Sequence, residues 1–382
     1  MSLTDFLEVL RLRLARTVLT IQVLISFIGG VFGVALPLMM KEREVSIVVV
    51  GFVFAAMPLI MQFVRMVCAT LSDFWGRKVF FVSSGFLAAV SGLIFFVAHT
   101  PLEYLFGKVV EGTKDGTLWA VNRASLLEES HRQWRVMVHL RTVAYLAYAA
   151  GSFLAGFLVA WFFFEGTMLL CAFFGALVVL VSLTLTSPKK KHLQVGKALQ
   201  FLDFRKKEKT FRVFLVLFCF MGVSYGLVGG FVITWFLSFN GFSPEMIGLL
   251  FGLQILLAGL LSYLFSRTMR TKQSILVSGF LFSAVFLLLG FSSPTLAGVL
   301  ILVYGGVQGV AGVVQEIIHT NICNKESYAT DIGLLWTGFH IAESVSLVLT
   351  GYMISVWGFV APFLFAVLMH IVFSVGAYRS LK

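Results

Sequence analysis

Between positions 108 and 115 the chain carries Lys108, Glu111, Lys114 and Asp115, two cations and two carboxylates within eight residues. On a helix turning about 100° per residue, all four share an arc of about 120° with Tyr104 and Asn122. Phe106, Val109, Val110, Thr113 and Thr117 lie on the other side. Groups of these types hold polar or charged solutes and take up or release protons. They also neutralise one another as an i,i+3 ladder, and the spacing fits both uses. A milder stripe recurs at Tyr304, Gln308 and Gln315, with His319 in line. Gln22 and Ser26 share a face with Gly29 and Gly33; Ser224, Phe231, Trp235 and Ser238 form a further mixed face. His340 and Glu343 stand i,i+3 beside Trp336, and Arg65 shares a side with Gln62. Glu111, Asp115 and Glu343 are the candidates for proton exchange, with His340 as an auxiliary.

The surroundings of these residues decide what they do. Of the 382 residues, 59% are apolar and only 12% are charged, where a soluble domain has roughly 25%. Mean hydropathy is +0.96, and phenylalanine alone contributes 41 residues. A soluble fold could not keep that much apolar surface from water. The composition therefore excludes a soluble enzyme, a disordered chain and a disulfide scaffold. It implies an all-α membrane protein.

Apolar runs of about 20 residues cross a bilayer as helices. Twelve are expected, at 16–39, 45–71, 79–98, 101–122, 138–160, 164–187, 211–238, 243–266, 274–291, 294–318, 331–356 and 358–379. No alternation of the kind a β-barrel needs is present. Of the 29 Lys and Arg residues, 24 fall in the N-terminus, the even-to-odd connectors or the C-terminus, and only Lys41 and Arg43 in the other set of connectors. This bias places both termini on the cytoplasmic side of the cell membrane. It also accounts for the net charge of +11 without a nucleic-acid partner. The first run is too long for a cleaved signal and lacks a small-residue cleavage site. Cys68, Cys171, Cys219 and Cys323 have no metal or disulfide spacing, so neither metal nor cofactor is expected.

The longest polar stretch, 188–210, holds Lys189–Lys191 and Arg205–Lys207 and reads as a basic cytoplasmic linker between two bundles, 1–187 and 211–382. The halves resemble each other in order. Gly29-Gly30 matches Gly229-Gly230, Ser84-Gly85-Phe86-Leu87 matches Ser278-Gly279-Phe280-Leu281, and Pro101 matches Pro294. Gly112 and Gly116 match Gly305 and Gly309, which carries Glu111 onto Tyr304, Asp115 onto Gln308 and Asn122 onto Gln315. Repeats of this kind in membrane proteins accompany alternating access around a site at the repeat interface.

After the second run the chain reads Ala69-Thr-Leu-Ser-Asp73-Phe-Trp-Gly76-Arg77-Lys78. This resembles the signature G-x-x-x-D-x-x-G-R-K of the major facilitator superfamily at the same topological place, with Ala69 for the leading glycine. The resemblance covers the whole chain and implies two pseudo-symmetric six-helix bundles. It implies that Asp73, Gly76, Arg77 and Lys78 form a cytoplasmic gate, and that runs 1, 4, 7 and 10 line a central cavity. Lys108-Val-Val-Glu111-Gly112 is similar to the family's basic motif in the fourth run. Gly151-Ser152-Phe-Leu-Ala-Gly156 lacks the proline of the drug/proton antiporters. Family packing also sets Arg65 near Glu343, as a structural salt bridge or a gate.

Other motifs fail on context. Gly222-Val-Ser224-Tyr-Gly226 matches the nucleophile elbow but lies in a membrane run. The Gly306, Gly309 and Gly312 series reads as helix packing, and no phosphate-binding loop is present, so ATP is not the energy source. The reading is a monomeric, proton-coupled secondary transporter for a small polar or charged organic solute, with lipid and H+ as its other partners. Two others stay open: an efflux pump or flippase for amphipathic molecules, and a non-transporting sensor or scaffold on the same fold.

Overall fold

The computed structural model describes residues 13–129, 133–185, 205, 207–265, 272–323 and 328–381. Among them there is no strand. The helices are α1 (Arg13–Glu42), α2 (Ile47–Trp75), α3 (Arg77–Val97), α4 (Pro101–Glu129), α5 (Gln133–Leu183), α6 (Lys209–Val228), α7 (Val232–Phe239), α8 (Pro244–Phe265), α9 (Gln273–Gly290), α10 (Pro294–Ile322), α11 (Tyr328–Trp357) and α12 (Val360–Ser380). Of the expected linker, residues 188–204 and 206 lie outside the described residues, as do Met1–Leu12 and the basic connector positions Arg132, Arg267, Arg270 and Lys325.

Local chemistry sets the joints. Ser46 caps α2 by accepting from the Val49 N–H. Gly76, at φ 81°, both ends α2 and opens α3, a conformation that costs glycine little. Thr100 and Glu103 form a capping box at the head of α4: the Glu103 N–H donates to Thr100 Oγ1, and Glu103 Oε2 accepts from the backbone N–H groups of His99 and Thr100. Pro294 opens α10 at a position where a missing N–H is harmless.

Runs five and six together make up α5, with the non-helical turn between them at Phe163 (φ 57°), in the gap expected between 138–160 and 164–187. One joint differs from the expected boundaries. Run seven is broken instead of continuous. Its helix stops at Val228, Gly230 turns at φ 57°, and α7 resumes at Val232. Ten stretches among the described residues are long and apolar enough to cross a membrane; one of them, Leu140–Leu183, contains the turn at Phe163. α4 is not among the ten, being the helix that holds two lysines and two carboxylates within eight positions.

Close crossings carry the internal repeat. In α4, Gly112 and Gly116 let the helix lie on Met57 and Met61 of α2; in α10, Gly305 and Gly309 lie on Gln254 and Ala258 of α8. Gly85 of α3 meets Val178 and Val179 on the second arm of α5, and Gly279 of α9 meets Ser374 of α12. Small residues at crossings are how helices associate where lipid offers no hydrophobic drive. The match of Gly29-Gly30 to Gly229-Gly230 needs correcting. Gly30 packs on Tyr148 and Ser152 of α5, and its structural counterpart is Gly226, which packs on Glu343 and Ser346 of α11. Gly229-Gly230 supplies the break.

The halves meet along two crossings. Gly51 of α2 lies on Leu347 and Gly351 of α11, and Gly248 and Gly252 of α8 lie on Ala149, Ser152, Phe153 and Gly156 of the first arm of α5. Large apolar side chains such as Phe63, Phe86, Phe280 and Leu288 stay exposed around the outside, where a bilayer would cover them.

Candidate functional site

The bundle has two ends. One carries the start of α1, the Gly76 joint and the end of α12. The other, called distal here, gathers the joints at 43–46, 98–100, 163 and 240–243. At the distal end the halves are tied across. Lys41 Nζ donates to Ser238 Oγ at 2.7 Å and lies 4.4 Å from the Phe239 ring centre. Trp235 Nε1 donates to the Pro37 carbonyl at 2.8 Å, and Phe54 packs on Phe231. Within the first half, Arg43 pairs with Glu165 at 2.5 Å, donates to Tyr104 Oη at 2.9 Å and bonds the Ala98 carbonyl.

Inside, α4 brings its charges together as pairs. Lys108 Nζ is 2.8 Å from Glu111 Oε2, both buried, and Lys108 also lies 4.2 Å from the Phe54 ring centre. A desolvated cation over an aromatic face gains about 2 kcal/mol. Lys114 Nζ is 3.1 Å from Asp115 Oδ1; Lys114 is fully buried, whereas Asp115 keeps 14% of its side chain exposed. Pairing of this kind is how four charges persist on one helix, since each alone would cost about 2.5–3.5 kcal/mol at mid-bilayer. Lys108–Glu111 is the first rung of the expected i,i+3 ladder, while Lys114 pairs with its chain neighbour Asp115. Asn122 Nδ2 donates to Gln22 Oε1 at 2.9 Å, and Gln22 Nε2 donates to Ser26 Oγ at 2.8 Å, so these amides bind α4 to α1.

The second half answers with neutral groups. Gln308 Nε2 donates to Tyr304 Oη at 3.0 Å, and Gln254 Nε2 of α8 donates to Gln308 Oε1 at 2.9 Å. Tyr304 sits edge-on to Phe286 and Phe282. Gln315 lies apart from this chain, with Nε2 3.7 Å from Met221 Sδ. On α11, His340 Nδ1 is 2.8 Å from Glu343 Oε2, and the His340 ring stacks on Trp336 with centroids 5.5 Å apart.

The Arg65–Glu343 contact expected from family packing is corrected by register. Gly51 lies level with Leu347 and Gly351, and Gln62 Nε2 donates to Thr337 Oγ1 and the Gly333 carbonyl. Arg65 therefore stands level with residues near 333, about 15 Å along the axes from Glu343 at roughly 1.5 Å per residue. In the gate motif, the Asp73 side chain lies outside the described ones. Gly76 makes the turn, Arg77 is buried, and Lys78 Nζ donates to the Leu183 carbonyl at 2.6 Å, a cation at the end of α5 where the helix dipole favours it. Lys207, at the end of the linker, pairs with buried Asp331 at 2.7 Å. Beside them, burial pushes the Cys323 thiol up to about 12.

Sequence reasoning missed several groups here. His370 stacks on Phe282 with centroids 3.8 Å apart and lies 3.3 Å from Ser224 Oγ. Tyr148 is half-buried against Gly29 and Gly33, and Arg141 reaches from α5 across to Gly312 of α10. A lone polar residue in an apolar helix gives a sequence signal, but its direction does not show without the partner helix. For Gln254 the signal was its isolation in α8.

The fold has counterparts. The family model for the Major Facilitator Superfamily matches residues 18–342. No curated protein matches the chain. Among solved structures, a point mutant of the nucleoside transporter NupG superposes with a TM-score of 0.81 at 15% identity, covering 97% of this chain and 100% of that one. Unmutated NupG gives 0.75 at 14%, covering 97% and 99%. The human organic anion transporter MFSD10 (TETRAN) gives 0.68 at 14%, covering 94% and 98%. With its paired bundles, its glycine crossings and a matching family model over most of its length, the chain belongs to the major facilitator superfamily.

Proposed function

We propose that this protein is a secondary active transporter that moves a small polar or charged organic solute by alternating access, coupled to protons. The observation that carries the reading is the paired charge on α4. A scaffold gains nothing from inserting two lysines and two carboxylates, whereas a carrier needs polar groups that a solute can engage. The chain makes twelve crossings, counting α5 as two, α6 with α7 as one, and α4 in spite of its charges. Both termini lie on the cytoplasmic side of the cell membrane by the distribution of basic residues. The distal end is then the exterior one. The ties Lys41–Ser238 and Trp235–Pro37 close it. Asp115, Gln308, Gln315, His340 and Glu343 are only partly buried, while Lys108, Glu111 and Tyr304, set nearer the distal end, are buried, which supports a cytoplasm-facing cavity. The pathway lies within one chain, so the working unit is a monomer. The protein is a carrier rather than an enzyme.

The aromatic cluster of the second half, in which Tyr225 meets Phe282, Phe282 meets Phe286 and Phe286 meets Tyr304, favours a second reading, export of amphipathic molecules. A thermal-stability screen in detergent separates the two. The panel holds nucleosides, organic anions, sugars, amino acids, hydrophobic cations and lysolipids, each at two pH values. A ligand that binds the folded state raises stability by RT ln(1 + [L]/Kd). Stabilisation by a polar solute that disappears in Asp115→Asn supports the proposal. Stabilisation confined to hydrophobic cations or lysolipids and indifferent to that change overturns it in favour of export.

A further inference from the structure

We propose that the His340–Glu343 pair of α11 is the proton-binding site of this carrier, and that the α4 carboxylates are not. The inference rests on the proton-coupled reading above and locates its proton.

Direction comes first. Ile341, Val345, Leu349 and Tyr352 of α11 are all exposed and mark its lipid side. At about 100° per residue, Trp336, His340 and Glu343 centre on the opposite side. That side is flanked by the strip packed on α2, which includes Thr337 and Leu347, and the strip packed on α6, which includes Phe339, the Glu343 backbone and Ser346. His340 and Glu343 keep 13% and 23% of their side chains exposed. Their exposure is therefore to the space between the two halves.

Charge counting follows. Glu111 and Asp115 each have a lysine within 3.1 Å. A proton added to either leaves a buried ammonium without its counter-charge, and breaking such a pair is strongly unfavourable. The α11 pair has no such obligation, because its basic member is itself titratable. With neutral His340 and ionised Glu343 the pair carries one negative charge. One proton, shared across the 2.8 Å contact, brings it to zero. No third residue has to change state.

The other groups that face this helix leave that exchange intact. α6 contributes Cys219 beside Gly338 and Tyr225 against Phe339. α10 contributes His319, which meets Trp336. Arg65 of α2 stands about ten residues along, and His370 of α12 is turned to Ser224. Asp331, lower on α11, is engaged by Lys207. α11 is also one of the helices at the contact between halves, through Gly51, Leu347 and Gly351. A change of charge on it thus reaches the surface that must shift in alternating access.

The test uses the full chain in lipid nanodiscs, with its four cysteines replaced and spin labels at Leu102→Cys and Phe291→Cys. These positions are exposed joints of the two halves at the distal end, 72% and 71% exposed, and belong to no part of the site. The expected result is a distal-open population that changes at least fivefold between pH 5.5 and pH 8.5. Glu343→Gln abolishes that response, and Glu208→Gln, a change at an exposed carboxylate at the head of α6 and outside the site, preserves it. A Glu343→Gln protein with the parent's full response overturns the assignment. A parent that opens and closes but ignores pH overturns proton coupling itself, which is a different failure. Should Glu343→Gln not fold, the fluorescence of Trp336 in the intact protein serves instead. A protonated imidazole stacked on the indole quenches it, so the difference between parent and Trp336→Phe titrates with pH. His319 also meets Trp336, so the control carries His319→Gln as well. A difference that still titrates in His340→Asn in that background overturns the proposal.

Discussion

α4 and α10 occupy equivalent places in the two halves, cross equivalent partners through equivalent glycines, and yet differ in chemistry. On α4 the polar residues are charged and paired along their own helix, Lys108 with Glu111 and Lys114 with Asp115. On α10 they are neutral and form a chain, Gln308 bonded to Tyr304 one turn away on the same helix and to Gln254 of α8. The lesson is that backbone geometry came with the repeat and side-chain chemistry did not. Two similar bundles thus present charge on one helix and amides with aromatics on its counterpart.

The largest effect that could break this contrast lies in the buried pair. Lys114→Met should cost about 3–5 kcal/mol of stability, because Asp115 keeps a charge with nothing to answer it. Adding Asp115→Leu should recover most of that loss. On the other wall, Gln308→Leu removes two neutral hydrogen bonds and should cost less, about 1–3 kcal/mol. Denaturant titration of the purified proteins in one detergent gives all three values. If Lys114→Met costs no more than Gln308→Leu, the pairing on α4 is not what holds its charges in place.

Next in size is the shared geometry. A side chain at Gly116 would meet the Met61 carbonyl at 2.5 Å, and one at Gly309 would meet the Ala258 carbonyl at 2.7 Å. Gly116→Val and Gly309→Val should each cost about 1–3 kcal/mol, and by similar amounts, since backbone cannot give way as a flexible side chain does. The same titration checks it. A large cost in one half and none in the other would mean that the halves are not packed alike.

How much of this was legible in the sequence depends on the range of the interaction. Runs of apolar residues, the basic connectors and the glycines at Gly112 and Gly116 are local signals, and they carried the fold class, the repeat and the place of α4. The i,i+3 pairs Lys108–Glu111 and His340–Glu343 were readable for the same reason: both partners sit on one helix. Contacts between helices were not readable in detail. Arg65 looked close to Glu343 because helix adjacency was known and register was not. The two connector cations Lys41 and Arg43 looked like exceptions to a topological rule; the structure gives each a tie. The break at Gly229-Gly230 was visible as a glycine pair, but nothing local distinguishes a break from a crossing.

The smallest effect separates a tie across the halves from a tie within one. Trp235 bonds the Pro37 carbonyl across the halves, whereas Arg43 binds Glu165 and Tyr104 within the first half. A hydrogen bond between helices in a membrane is worth about 0.6 kcal/mol on average, so Trp235→Phe should raise the distal-open population about threefold. The pair of labels at Leu102 and Phe291 reads that population directly. Arg43→Gln should lower overall stability and leave the population where it was, because all three of its partners, Glu165, Tyr104 and the Ala98 carbonyl, move with it. Should Arg43→Gln open the distal end as much as Trp235→Phe does, the closure belongs to the shape of the first bundle alone, and the ties between halves only follow it.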